Sequence, residues 1–146
     1  MSWIITPCMR LRLIASTPDI EPLIAAAILT TTGSKPSEAY EALRRQPRRV
    51  ERIVERLEFH HGSVFEHNRL CWLLEAEDEA ILKLLLRSRF FQLSRLGGRR
   101  WLMSANLRTV IEYIRQHRDP MAEALLESIG EVAPTVYKRL RGETSK

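Results

Sequence analysis

The run Arg87-Ser88-Arg89-Phe90-Phe91-Gln92-Leu93-Ser94-Arg95-Leu96-Gly97-Gly98-Arg99-Arg100-Trp101 sets the reading of the whole chain. It interleaves five arginines with three aromatic residues. A planar guanidinium offers several donors in fixed geometry, which suits phosphate oxygens. Gly97-Gly98 allows positive φ or a close approach of the backbone to a ligand. Working outward, Glu77-Asp78 start a helix that runs into Arg87. Its Ile81, Leu84 and Leu85, with Leu82 and Leu86, are expected to face a core. Before that helix, Leu70, Trp72 and Leu74 alternate with Arg69, Cys71 and Leu73, the period of a strand. Strand, helix and a basic turn or strand thus follow one another, and the run is expected to line a nucleotide or cofactor phosphate site.

Further upstream, Met9 to Ala15 alternates apolar and basic residues, as a strand with one buried face does. Ser16-Thr17-Pro18-Asp19 reads as a helix start with a capping oxygen ahead of Ile20. Gly33 closes that helix, and Ser37-Glu38 opens a short one. Pro47 opens the next, on which Val50, Ile53, Val54 and Leu57 form an amphipathic stripe. Its other face mixes Arg48, Arg49, Arg52 and Arg56 with Glu51 and Glu55, the pattern of a solvated or inter-subunit surface. The histidines of His60-His61-Gly62-Ser63-Val64-Phe65-Glu66-His67 lack zinc-helix spacing and have no cysteine nearby, so no metal is expected. Downstream, Ser104 is expected to cap a helix carrying Leu107, Val110, Ile111 and Ile114. Asp119-Pro120 opens another, and Pro134 kinks or restarts it.

The chain of 146 residues, 45% hydrophobic and 28% charged, fits one domain over residues 1–146. Residues 1–8 read as an N-terminal extension and 142–146 as a flexible tail. No apolar run approaches the ~20 residues that span a bilayer, and the first residues lack a basic signal-peptide region. Cys8 and Cys71 form no disulfide or metal framework, so a reducing, cytoplasmic setting is expected. Net charge is +5 and the basic side is almost all arginine, which favours anionic partners. Asn and Gln are scarce, as in thermophile proteins. The expected class is α+β, helices packed on a small antiparallel sheet.

Three segments resemble the flavin-dependent thymidylate synthases. His61-Gly62-Ser63-Val64-Phe65-Glu66-His67 is similar to that family's His-x-Ser-Val-Phe-Glu-His. Arg87-Ser88-Arg89 through Arg99 is similar to its arginine-rich signature. Asn106-Leu107-Arg108, with Val132 to Tyr137, is similar to its C-terminal Asn-x-Arg helix and the segment beyond. The resemblance implies the thymidylate synthase-complementing-protein fold, FAD as cofactor and a homotetramer. It further implies that His61, Ser63, Glu66, Arg87, Arg89, Asn106 and Arg108 face the flavin or its phosphates, and that Arg99 touches the nucleotide substrate.

The departures from the family pattern gather on the substrate side. Gly97 replaces a serine, Arg95 an acidic or Gln position, Ser88 a histidine and Leu84 a glutamine. Glu127 stands near the place of an arginine, and the link from Trp101 to Asn106 is short. These features imply a homologue that keeps a flavin or nucleotide framework and has lost deoxyuridylate methylation, with no catalytic residue assigned. Two alternatives stay open: an active flavin-dependent thymidylate synthase or other flavin-dependent reductase, and a basic RNA- or polyanion-binding or structural partner module. A sheet of several strands is what single-strand binders need, and the sequence reads mainly helical, which weighs against nucleic acid.

Overall fold

The computed structural model describes residues 1–60 and 62–146. His61, one of the expected flavin-side residues, lies outside the described residues. The chain begins with strand β1 (Ile4–Thr6) and strand β2 (Met9–Ser16). Helices α1 (Ile20–Thr31), α2 (Pro36–Arg44) and α3 (Pro47–Arg56) follow, then a 3₁₀ turn at Gly62–Phe65. Strand β3 (Leu70–Ala76), helix α4 (Asp78–Arg87) and the hairpin β4 (Gln92–Gly97) and β5 (Arg100–Ala105) come next. Helices α5 (Leu107–Gln116), α6 (Pro120–Ser128) and α7 (Pro134–Thr144) close the chain.

All five strands form one antiparallel sheet in the order β1-β2-β3-β5-β4. Its polarity follows from the alternation in the sequence. On β2, Met9, Leu11 and Leu13 are buried while Arg10, Arg12 and Ile14 are exposed. On β3, Leu70, Trp72, Leu74 and Ala76 are buried, and Cys71, Leu73 and Glu75 face the other way. The buried face meets the helices. There Trp72 Nε1 donates to Ser128 Oγ at 2.9 Å, and Ser128 Oγ donates to the Leu125 carbonyl at 2.7 Å. This ties the central strand to α6.

A buried carboxylate joins the two ends of the helical layer. Glu21 on α1 accepts from Thr135 N at 2.7 Å, Thr135 Oγ1 at 2.8 Å and Val136 N at 3.0 Å, which satisfies the first turn of α7. Burial pushes its carboxyl up from the ordinary range, against the three hydrogen bonds that favour the ionised form.

Several local expectations are corrected. Asp19, not a residue with a capping side chain, precedes α1; it sits at φ 52 and makes no cap bond. Its carboxylate instead pairs with Arg44 Nε at 2.9 Å. Ser104 lies within β5 and accepts from Arg69, so Asn106 is the cap of α5. Of the leucines expected in the core, Leu84 is buried but Leu82, Leu85 and Leu86 are 57%, 43% and 80% exposed. A contiguous apolar run hides which face is inward. Residues 4–6 of the expected extension pair as β1 with β2, and α7 continues to Thr144. No helix among the described residues is long and apolar enough to cross a membrane.

Two predictions test this packing. Ser128→Ala leaves the buried Trp72 N–H without an acceptor and should cost about 1–3 kcal/mol in urea denaturation. Glu21 binds its proton more tightly in the native than in the unfolded chain. Its contribution to stability therefore falls as pH rises from the unfolded carboxyl value to the raised native one. The stability of the parent protein minus that of Glu21→Gln should accordingly decrease as pH rises above the ordinary carboxyl value of about 4.

Candidate nucleotide site on helix α5

Helix α5 is started by Asn106, whose side-chain oxygen accepts from Thr109 N at 2.9 Å and Thr109 Oγ1 at 3.0 Å. Asn68 holds the preceding turn to it. Its Oδ1 accepts from Leu107 N at 2.8 Å and its Nδ2 donates to the Phe65 carbonyl at 2.9 Å. Arg108 then reaches back over that turn. It is ion-paired with Glu66, and its Nε donates to Glu112 at 2.9 Å. A Cβ on Gly62 would lie 2.6 Å from Arg108 Nε, so the missing side chain is what admits the guanidinium. Ser63 is exposed in the same turn, and its carbonyl accepts from Glu66 N at 3.2 Å.

One turn further along, α5 meets the end of α4. Asp119 is the hub here: its carboxylate accepts from Arg87, from Tyr113 OH at 2.8 Å and from Ala122 N at 2.8 Å, the last capping α6. Burial first, and the hydrogen bond to Asp119 second, push the Tyr113 phenol up to about 12. Phe91 is buried with its edge on the Tyr113 ring, centroids 5.7 Å apart. A cavity of about 350 Å³ opens beside this hub, lined by Arg87, Ser88, Arg89, Phe90, Thr109 and Glu112 among others. Arg89 is exposed, lies 5.2 Å from the Phe90 ring centroid and takes part in no ion pair among the described residues.

The rest of the arginine run goes elsewhere. Gly97 and Gly98, at φ 133 and φ 55, make the turn between β4 and β5. Arg95 bonds Asp78 at 2.5 Å and covers the Trp101 ring at 4.3 Å, while Arg99 Nε bonds Glu77 at 2.6 Å. Arg99 and Leu84 border a second cavity of about 390 Å³ with Met9, Lys83 and Met121. Tyr113 and Asp119 line it too, so Tyr113 stands between the two spaces. Glu127 is ion-paired with Arg141.

Glu66, Asn106, Arg108, Arg87 and Arg89 are thus brought along one side of α5, and Arg99 is separated from them. The run does not converge on a single cavity. Sequence reading gave no role to Gly62, Asn68, Glu112, Tyr113 or to the acceptor function of Asp119. Asn68 adjoins the His-Gly-Ser-Val-Phe-Glu-His segment and Asp119 the Pro120 helix start, which are the signals that could have marked them. The Asp119 hub has a spectroscopic signature. Asp119→Asn should bring the Tyr113 phenol down from about 12 toward its usual value of about 10, read by absorbance in alkaline titration.

Comparison with known proteins places this architecture. A family model described as thymidylate synthase complementing protein matches residues 12–141. No curated protein sequence matches. Among solved structures, the fold is similar to a UMP/dUMP methylase, PolB, from Streptomyces cacaoi, bound with 5-Br dUMP. The TM-score is 0.63 at 12% identity, over 92% of this chain and 95% of that one. With the family model spanning nearly its whole length, and a five-stranded antiparallel sheet under α5 carrying the expected segments, the chain belongs to the thymidylate synthase complementing protein family.

Proposed function

We propose that the chain binds the phosphate portion of a flavin dinucleotide in the cavity between α4 and α5, and that it does not methylate deoxyuridylate. The observation that carries this reading is the difference in charge state between the two cavities. On the α5 side Arg89 is exposed and has no acidic partner among the described residues. On the other side Arg99 is already held by Glu77, and Glu79 and Asp119 add carboxylates to the same lining beside Lys83. A phosphate arriving there would find one cation outside any ion pair among the described residues, Lys83, set among Glu77, Glu79 and Asp119, whose charges oppose it.

The residues present fit the cofactor in part. Arg89 supplies the cation, and Thr109 and Gln116 line the same space with neutral polar groups. Arg87 and Arg108 are each tied to carboxylates, so they orient neighbours rather than offer empty donors. The Glu66–Arg108–Glu112 chain links the 3₁₀ turn to the cavity wall. When bound, a flavin supplies hydride and electron transfer; the protein supplies the binding groups and their geometry. Leu85, Leu86 and Phe90 are exposed at the rim of this cavity. Exposed apolar groups at such a place mark a subunit contact, which supports the homotetramer implied by the resemblance, with the remainder of the dinucleotide held between chains.

Retained methylation of a uridine nucleotide is the competing reading, favoured by the name of the PolB structure. Gly97 weighs against it. At φ 133 it occupies a backbone region that suits glycine, so a serine could not be restored there without strain of about 1–3 kcal/mol. Arg89→Ala should weaken FAD binding about tenfold or more, measured by quenching of flavin fluorescence, and leave the thermal transition unchanged. Arg95→Ala should leave FAD affinity within about twofold. Equal losses from the two variants would remove the distinction on which the assignment rests.

A further inference from the structure

We infer that the outer face of the sheet is a binding platform for a single strand of nucleic acid. Strand alternation sends Arg10 and Arg12 of β2 and Cys71, Leu73 and Glu75 of β3 to that face, and a register shift after Leu13 leaves Ile14 exposed and sets Ala15 opposite Cys71. Register adds Ser104, Leu102 and Arg100 of β5 opposite Cys71, Leu73 and Glu75. Arg69 joins them at the end of the face, donating to Gln92 Oε1 and to Ser104 Oγ. Arg10, Arg12, Ile14, Arg69, Arg100 and Leu102 are all exposed.

The charge of this face is strongly one-sided. Arg10 is matched by Glu75 at 3.0 Å. Arg12, Arg69 and Arg100 take part in no ion pair among the described residues, so three cations remain without counter-charge. They surround the apolar pair Leu73 and Leu102, and Trp3 lies beneath Arg10 at 4.7 Å. Cations around an apolar and aromatic centre suit a strand whose phosphates meet arginine while its bases lie on the sheet. A five-stranded face is too broad to enter a duplex groove, which takes a helix or a two-stranded ribbon. A second copy of the chain is a poorer occupant, because pairing the face with itself would set unmatched arginines against one another. The inference is independent of the flavin reading, since none of these residues lines the cavity beside α5.

The test uses the full chain and a fluorescein-labelled strand of about 20 deoxythymidines, followed by anisotropy at several salt concentrations. Three phosphate contacts predict a plot of log affinity against log salt with a slope of about −2. R12E/R100E should weaken binding about tenfold or more, and the milder R12Q/R100Q should weaken it less. R48E/R49E, an equal charge change on the exposed face of α3, should leave affinity within about twofold. Circular dichroism confirms that each variant is folded. Equal weakening by the two reversal pairs, tighter binding of a duplex of the same length, or no binding at low salt would each overturn the platform. A change of oligomeric state in R12E/R100E would assign the face to contact between copies and overturn it as well.

Discussion

The structure depends on the register of β3, which pairs with β2 on one side and β5 on the other. That register places Trp72 and Leu74 against the helices and Leu73 and Glu75 on the open side. A slip of one residue would exchange the two sets and drive Glu75 into the core. The Trp72–Ser128 hydrogen bond locks the choice, because an indole N–H buried without an acceptor is costly. Everything functional follows from it. β3 leads directly into α4, which ends at Arg87, and β5 leads through Asn106 into α5.

Much of this was legible in the sequence because the signals were periodic. Alternation marked β2 and β3, and the stripe of Val50, Ile53, Val54 and Leu57 marked α3, where Val50, Val54 and Leu57 are buried. The run that forms β4 was legible only as a turn or a strand, since it is exposed nearly throughout and shows no alternation to decide between them. β1 is three residues long, too short to carry a period. The inward face of α4 was hidden by five apolar residues in six positions. At the candidate site, the residue types were visible but their partners were not. Asp119 meets Arg87 from 32 residues away and Glu66 meets Arg108 from 42, contacts that no local pattern encodes.

Those partners decide which arginines are available to an anion. The Arg108 pairs with Glu66 and Glu112 are more than two-fifths exposed, so solvent screens them. Arg108 nevertheless lies outside the lining of the cavity and serves to join Glu66 to Glu112. Arg87 differs, because its partner Asp119 is only 12% exposed and also serves Tyr113 and the α6 amide. Drawing Arg87 away would leave a carboxylate with little water around it, so Arg87 holds the wall of the cavity and Arg89 is the cation free to meet a ligand. The same reasoning sets the second cavity apart. Its Arg99 is paired with Glu77, and the turn that follows Arg95 is fixed by two glycines at positive φ.

The measurement that bears most directly on this account is the visible absorbance spectrum of the purified full chain titrated with FAD and then saturated with deoxyuridine monophosphate. The account predicts a perturbed, saturable flavin spectrum that the nucleotide leaves unchanged. A flavin spectrum that shifts on addition of the nucleotide, or no flavin bound at any concentration, would contradict it.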